Sequence, residues 1–333
     1  MTGFIPRVIE QCALGKITGE IQSVPGGLLH GMFRVETSRG VFAVKHLNPQ
    51  VMARPDAHKN YARAETLEAR LEKAGLPVIA ALSFGGKKMV EVDGNFFYVF
   101  RWQIGKITDW DCISESRCRI AGALLGRIHE IPVDVPADSA QENPGNPPCY
   151  DFGAYIKMEK IAPHIKTLLS DNLTLLSAAQ EKLDAARAAL PPLVCITDSD
   201  LDPKNVMWDN GNPHIIDLEC LDYGNPAATA LVLALQWAGT VTMDFRRENL
   251  AAFFHGYFSE HDDGFRAYDR IFGAAYNWLG WLDYNLSRAS GTAGEDAAEQ
   301  KTGALEAERT IRRIAYLSGI EDEVRQVLRN WFR

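Results

Sequence analysis

The sequence has few of the features that are typical of zinc-binding, disulfide-rich, nucleic-acid-binding or membrane proteins. Its six cysteines form no C-x-x-C pair and have no accompanying His cluster, so we expect neither a zinc site nor a disulfide framework. The net charge of −8 argues against a nucleic-acid-binding groove, which usually needs a basic face. No apolar run reaches the length of a membrane span, and the N-terminal residues lack the pattern of a signal peptide. We therefore expect a protein of the reducing cytoplasm without a membrane partner.

The 333 residues are enough for two lobes with their own cores. Short apolar runs between turn residues predict strands across the first hundred residues, with one helix at about 57–74. A hairpin is predicted around Asp93-Gly94, and its apolar second strand, 96–100, should be covered on both faces. Helical spacing dominates later in the chain. We predict a β-rich lobe at 1–100, a hinge at 101–107 and a helical lobe at 108–333.

The stretch ITDSDLDPKNVMWDNGNPHIIDLE, residues 196–219, brings six carboxylates together among apolar residues. Within it, Asn210-Gly211 predicts a hairpin turn. Centring that turn on Gly211 pairs Asn205 with Asp217 at the open end of the hairpin. An amide oxygen beside a carboxylate suits Mg²⁺, which keeps waters and shares phosphate oxygens of a substrate. The alternative interpretation is a solvated acidic turn.

The spacing of these residues is more specific than their charge. Asp200 opens a D-x-x-x-x-N run that ends at Asn205, the spacing of the catalytic loop of protein kinases. The segments PKNVMW, IIDLE and YGNP resemble the aminoglycoside phosphotransferase family, which includes choline- and homoserine-type kinases. The family core is close to H-G-D-x-x-x-x-N followed by I-D-W-E. Here Asp198 stands at the His position and Leu218 at the Trp position, and the resemblance extends over about 26–288.

This resemblance implies an α+β, protein-kinase-like two-lobe fold with a β-rich N-lobe and a mostly helical C-lobe. It implies ATP and Mg²⁺ as cofactors, and transfer of the γ-phosphoryl group to a hydroxyl of a small molecule, such as an aminoglycoside-like or other amino-bearing alcohol. Asp200 would accept the hydroxyl proton, while Asn205 and Asp217 would hold Mg²⁺. One alternative is an inactive nucleotide-binding pseudokinase, motivated by Asp198. A protein kinase is the other, although D-F-G, A-P-E and an activation segment are missing.

A kinase also needs a lysine for the α- and β-phosphates of the nucleotide. GVFAVKHL supplies Lys45 on a predicted strand, and period-2 alternation puts Ala43 on the same face. The small Ala43 side chain leaves room for an adenine ring. An acid on the following helix should orient the lysine, and both Glu65 and Glu68 lie on one helical face. The spacing of the family favours Glu65.

Other candidate nucleotide contacts follow from the resemblance. Gly26 and Gly27 lie in a glycine-rich turn between two predicted strands, where backbone N–H groups could face phosphate oxygens. The segment VFRWQIGK is similar to the family hinge, which implies that backbone groups of Arg101 and Gln103 meet the edge of adenine.

Residues of the later chain are candidates for binding the acceptor. Trp278, Trp281 and Tyr284 are spaced three apart on one helical face, which is typical of an aromatic core stripe. If the helix instead lines the substrate site, these rings and Asp283 could receive a cationic acceptor. Asp198 is interpreted as a structural replacement for the family His, and contact with an acceptor amine is its alternative role.

Overall fold

The computed structural model describes residues 2–25, 30–133, 149–293 and 296–332. Its strands are β1 (Gln22–Ser23), β2 (Gly31–Thr37), β3 (Gly40–His46), β4 (Val90–Val92), β5 (Asn95–Arg101), β6 (Lys106–Ile107), β7 (Cys195–Asp198), β8 (Val206–Asp209), β9 (Asn212–Ile215) and β10 (Leu221–Gly224). Its α-helices are α1 (Ile5–Gln11), α2 (Pro49–Met52), α3 (Ala57–Lys73), α4 (Glu115–His129), α5 (Phe152–Lys157), α6 (Pro163–Ala188), α7 (Pro226–Trp237), α8 (Arg247–Glu260), α9 (Trp278–Ala289) and α10 (Ala297–Trp331). Within these described ranges, none of the helices is long and apolar enough to cross a membrane.

The chain folds into two compact units, residues 1–107 with 205–222 and residues 108–204 with 223–333. The first unit is built on an antiparallel sheet with the strand order β1-β2-β3-β5-β4. Alternation along β3 and β5 buries Val44 and Val99 on one face, where they pack with Ile5 and Val8 of α1. The prediction of a single helix in the first hundred residues is wrong, because α1 and α2 are also present.

The opposite face of this sheet packs against α2 and α3. Leu47, Met52, Tyr61 and Tyr98 form its apolar cluster, so β5 is covered on both faces as predicted. The predicted helix at 57–74 is confirmed as α3, which ends just before Gly75 at φ 72°.

A second, smaller sheet of the first unit has the order β6-β8-β9. Its hairpin is held by the segment that follows α3. The Ile215 N–H donates to the Pro77 carbonyl at 2.8 Å, and the Ile79 N–H donates to the Ile215 carbonyl at 2.9 Å. These bonds fix the end of β9 and therefore the start of the segment that carries Asp217.

The second unit is mostly helical, and its α4 and α8 approach each other closely. Ser114 caps α4 by accepting a hydrogen bond from the Arg117 N–H. The close approach depends on glycines, because a Cβ added at Gly122 would overlap the Phe253 carbonyl and one at Gly256 would overlap the Arg119 carbonyl. This unit also contains β7, which leads into the loop that carries Asp200.

The helix contact gives a stability prediction. We expect Gly256→Ala to lower the free energy of unfolding by about 1–3 kcal/mol, because the added methyl group must push the α4 backbone away. Gly319→Ala is the matched control, since Gly319 lies in α10 with nothing within 4 Å of its Cβ position. It should be neutral or stabilise by up to about 1 kcal/mol. Urea unfolding of both variants checks this, and equal effects would contradict the packing account.

Candidate active site

Lys45 lies on β3 with its side chain turned away from the core that contains Phe42 and Val44. The residue is almost completely buried, at 5% exposure. The Lys45 Nζ atom lies 2.7 Å from Asp217 Oδ1 and 2.7 Å from Glu219 Oε1. Burial opposes the charged form of the lysine, but the two carboxylates outweigh burial and raise its pKa. Ala43 lies on the same side of the strand and is partly exposed.

The hairpin that carries the metal-ligand candidates has a register one residue away from the prediction. Asn210 and Gly211 both have positive φ, 48° and 86°, so both are turn residues and Asp209 pairs with Asn212. This is the geometry that a two-residue Asn-Gly turn favours, whereas the prediction centred the turn on Gly211 alone. Asn205 is consequently opposite Ile216, whose N–H donates to the Asn205 carbonyl at 3.0 Å.

Asp217 follows directly after this pair, so the structure still brings Asn205 and Asp217 to the same end of the hairpin. Asp217 adopts the left-handed conformation, with φ 60° and ψ 54°. That conformation is uncommon for a residue other than glycine, and such strain is concentrated at functional sites. A 3-10 helix, Leu218–Cys220, follows at once. The strained residue therefore turns the chain where the Asp217 carboxylate meets Lys45.

Glu219 belongs to the same cluster, although no role was predicted for it. Its Oε1 contacts Lys45, and its Oε2 lies 3.2 Å from His30 Nε2 and accepts a hydrogen bond from the Tyr61 hydroxyl at 3.5 Å. Burial works against ionisation of Glu219, but Lys45 and His30 outweigh burial and lower its pKa to about 2. The only sequence signal was its place in the I-D-x-E pattern.

The predicted partner of Lys45, Glu65, is engaged elsewhere. Tyr98 is opposite Lys45 in the register of β3 and β5, and its hydroxyl donates to Glu65 Oε1 at 2.7 Å. In the described part of the chain, Lys45 forms its ion pairs with Asp217 and Glu219 and not with Glu65. The other candidate, Glu68, pairs with Lys88 at 2.5 Å. A role for Glu65 in orienting Lys45 stays a prediction.

In the second unit, Asp198 and the residues after it shape the loop that carries Asp200. Asp198 is buried, and its Oδ1 accepts a hydrogen bond from the Asp200 N–H at 3.0 Å. Leu201 is also buried, and its carbonyl accepts from Trp237 Nε1 at 2.9 Å. These contacts fix the backbone on both sides of Asp200, while its carboxylate remains partly exposed at 35%.

Two more charged side chains accompany Asp200 in this loop. Lys204 Nζ lies 3.1 Å from Asp200 Oδ1 and 2.7 Å from Asp202 Oδ2. Burial raises the pKa of Asp202 to about 6, against the opposing effect of Lys204. Burial also disfavours the charge on Lys204, but Asp200 and Asp202 outweigh it and raise the lysine pKa. Neither Asp202 nor Lys204 has a predicted role.

Comparison with curated proteins gave no match. The sequence profile of the phosphotransferase enzyme family, APH, matches residues 20–270, which is most of the chain. The chain belongs to the phosphotransferase enzyme family. The predicted resemblance is thereby confirmed. Family membership and fold together support a phosphotransferase that acts on small molecules, and they do not favour the pseudokinase alternative.

Several solved structures resemble this phosphotransferase in fold. Spectinomycin phosphotransferase, solved with ADP and spectinomycin, has a TM-score of 0.67 and 12% identity, over 94% of this chain and 98% of that chain. Ethanolamine kinase from Plasmodium vivax has a TM-score of 0.60 and 15% identity, over 87% of this chain and 81% of that one. Amicoumacin kinase in complex with AMP-PNP, Ca²⁺ and Ami has a TM-score of 0.60 and 14% identity, over 92% of both chains. These likenesses confirm the predicted protein-kinase-like fold.

Of the remaining candidates for nucleotide binding in this phosphotransferase, the structure describes Arg101 and Gln103. Arg101 ends β5 opposite Phe42, and Gln103 follows it as an exposed residue. Gly26 and Gly27 lie outside the described residues. Contacts of these residues with a nucleotide stay predictions.

The aromatic residues of α9 lie beside its core face rather than in it. The buried residues of this face include Leu279, Leu282 and Leu286. Trp278, Trp281 and Tyr284 are each only partly buried. The interpretation of these rings as a core stripe is therefore too simple for this helix.

Two of these rings already face cations of the protein itself. The Arg313 guanidinium lies 5.0 Å from the Trp278 ring centroid, and the Arg288 guanidinium lies 5.6 Å from that of Tyr284. Asp283 accepts a hydrogen bond from the Tyr155 hydroxyl at 3.0 Å. A cationic acceptor would compete with these arginines for the ring faces that they contact, and acceptor binding by this group stays a prediction.

The cluster around Lys45 gives a prediction with a defined pH dependence. We expect Glu219→Gln to lower the free energy of unfolding by about 1–3 kcal/mol at neutral pH, because a buried ammonium loses one of its two carboxylates. Glu65→Gln is the control, since its amide oxygen can still accept from Tyr98, and it should cost less than about 0.5 kcal/mol.

The sign of the pH effect follows from the lowered pKa of Glu219. Its ordinary value is 4.5 and its folded-state value is about 2, so its stabilisation is complete above about pH 4.5 and is lost as the pH falls towards 2. The difference in unfolding free energy between the wild type and Glu219→Gln should shrink over this range in urea titrations. A difference that stays constant down to about pH 3 would contradict the charge assignment.

Proposed function

We propose that this phosphotransferase moves the γ-phosphoryl group of ATP to a hydroxyl of a small molecule that carries an amino group. The observation that carries the proposal is the buried Lys45 ammonium, held 2.7 Å from the strained Asp217 at the open end of the hairpin that also carries Asn205. The predicted division into lobes at 1–100 and 108–333 with a hinge at 101–107 is part of the same proposal.

Lys45 is the phosphate-binding group in this proposal. A lysine with a buried ammonium is kept charged here by two carboxylates, so it can present a fixed positive charge to the α- and β-phosphates. The partly exposed Ala43 on the same strand face is the expected floor of the adenine site, and backbone groups of Arg101 and Gln103 are its expected edge.

Asn205 and Asp217 are the proposed ligands of Mg²⁺. Their chemistry suits the ion, because an amide and a carboxylate lie at one end of the hairpin. The Asp217 side chain is partly exposed, at 37%, whereas Asn205 is buried. Among the described residues no group of three or more His, Cys, Asp or Glu side chains could hold a metal. A pair of protein ligands is nevertheless typical of Mg²⁺, which completes its shell with water and phosphate oxygens. When bound, the ion neutralises charge on the phosphates.

Asp200 is the proposed catalytic base. It accepts the proton of the acceptor hydroxyl as the hydroxyl oxygen forms a bond to the γ-phosphorus. The bond from that phosphorus to the bridging oxygen of ADP breaks, and ADP leaves with the electron pair. The loop contacts of Asp198 and Leu201 support this role, because they hold the Asp200 backbone while its carboxylate remains accessible.

The amino group of the acceptor is the finer part of the proposal. Proteins of the same fold act on spectinomycin and ethanolamine, which are amino-bearing alcohols. In this chain Asp198, Asp200 and Asp202 of one loop, together with Asp283, supply negative charge. Two of the three α9 rings, by contrast, already lie against an arginine. We therefore expect carboxylates to contribute more than ring faces to recognition of the amine.

The decisive experiment is a coupled assay of ADP release with Mg²⁺-ATP and a panel of acceptors. The panel contains aminoglycosides, spectinomycin, ethanolamine, choline and homoserine, with neutral sugars and simple alcohols as the comparison set. Acceptor-dependent ADP release supports the proposal. Release confined to neutral or anionic alcohols would overturn the amine requirement, and no release with any alcohol would overturn the proposed reaction.

Asp200→Asn tests the catalytic base on whichever acceptor the panel identifies. We expect kcat to fall by about 10²–10⁴-fold, because the amide cannot take up the hydroxyl proton. Nucleotide affinity and the unfolding midpoint should remain close to the wild type. A variant with near-normal turnover would refute the assignment.

Asp217→Ala tests the metal and nucleotide site without any acceptor. We expect the Mg²⁺-dependent affinity for ATP, measured by calorimetry with Mg²⁺ and with EDTA, to fall by more than about tenfold. Asp209→Ala is the matched control from the other end of the same hairpin, and it should bind nucleotide as the wild type does. Equal affinities of the two variants would remove Asp217 from the site.

A further inference from the structure

Lys204 is placed between two carboxylates of its own loop. Its ammonium contacts Asp200 Oδ1 at 3.1 Å and Asp202 Oδ2 at 2.7 Å. Its backbone N–H also donates to Asp202 Oδ1 at 3.0 Å. Lys204 and Asp202 are therefore joined twice, whereas Lys204 and Asp200 are joined through the ammonium group.

The two ends of this bridge differ in burial. The Asp202 side chain is only 7% exposed, and the side chains of Asp200 and Lys204 are 35% and 37% exposed. A buried carboxylate with both oxygens engaged is a fixed point, since any other arrangement would leave a buried charge without compensation. The fixed end of the bridge is thus Asp202, and the end that reaches towards solvent is Asp200.

We propose that Lys204, anchored by Asp202, is a positioning residue that holds the carboxylate of Asp200 in the orientation needed to receive the acceptor proton. This inference rests on the proposed function, because it assumes that Asp200 is the base. Loss of the bridge would remove a contact that restrains the Asp200 carboxylate, and misplacement of a catalytic group by about 1 Å can cost on the order of 10²-fold in rate.

A purely structural role for the bridge makes a different prediction. If Lys204 only stabilised the loop, its removal would lower the unfolding midpoint and would leave kcat of the folded enzyme unchanged. A positioning role instead lowers kcat selectively, with the KM for ATP unchanged, because binding of the nucleotide does not require the Asp200 rotamer.

The test compares Lys204→Met with Lys204→Arg, which keeps a cation that can reach both carboxylates. We expect Lys204→Met to lower kcat by about 10–100-fold at an unchanged KM for ATP, and Lys204→Arg to restore at least half of that loss on a logarithmic scale. Lys301→Met, at an exposed position of α10, is the control for loss of a lysine and should match the wild type. A Lys204→Met enzyme with wild-type kcat would overturn the proposal.

The role of Asp202 as the anchor is tested in a double-mutant cycle. Asp202→Asn should lower kcat in the wild-type background and should have little further effect in Lys204→Met, because the bridge is already absent there. Independent effects of the two substitutions would overturn the anchoring step.

Crystal structures of the wild type and Lys204→Met decide the question even if no acceptor is found. The proposal expects the Asp200 carboxylate to leave its wild-type orientation in the variant, while Asp198, Leu201 and the loop backbone stay in place. An unchanged Asp200 side chain would overturn the proposal. A wild-type enzyme without transferase activity would instead count against the proposed function, so the two failures are distinguishable.

Discussion

The buried ammonium of Lys45 is the constraint on which the first unit depends. A charge removed from water must be paired, and the pairing here requires two carboxylates within 2.7 Å of one nitrogen. β3 supplies the lysine, the residue after the β8–β9 hairpin supplies Asp217, and the 3-10 helix that follows supplies Glu219. Hydrogen bonds between Ile215 at the end of β9 and residues 77 and 79 help to hold the hairpin at this point. Asp217 adopts a strained, left-handed backbone conformation where the chain turns so that Asp217 and Glu219 both contact the same cation.

Much of this arrangement could be predicted from local sequence patterns. The alternation around Lys45, the helix at α3 and the hairpin at Asn210-Gly211 are set by side-chain periodicity and turn chemistry, which act over a few residues. The predicted register of that hairpin differs by one residue from the observed register. The sequence indicates which residues form the turn, but it indicates less clearly which two residues pair on either side of it. Asn205 and Asp217 remain close despite the shift, since Asp217 follows the residue that pairs with Asn205.

The partner of Lys45 could not be predicted in the same way. Helical spacing shows that Glu65 and Glu68 share a face of α3, but it does not show which groups meet that face. Tyr98 competes with Lys45 for Glu65. The register of β3 and β5 places Tyr98 opposite Lys45, and its hydroxyl donates a hydrogen bond to Glu65. Glu68 forms an ion pair with Lys88. Contacts between distant parts of the chain thus decide the partners of both acids: Tyr98 comes from β5 and Lys88 from the segment before β4. Neither contact is encoded in the spacing of one helix.

The loop around Asp200 shows how a departure from the family pattern can preserve the geometry. Asp198 accepts from the N–H of Asp200, and Asp202 accepts from the N–H of Lys204, so two turns of the same kind follow each other in DSDLDPKN. Each turn uses a carboxylate as an acceptor for the residue two positions later, a function that ionised Asp performs and that requires no donor. A histidine could brace the loop through either a donor or an acceptor, whereas Asp198 can only accept while it is ionised. The bracing therefore needs a donor, and the donor here is the N–H of Asp200 itself, which couples the residue at the family's His position directly to the proposed base.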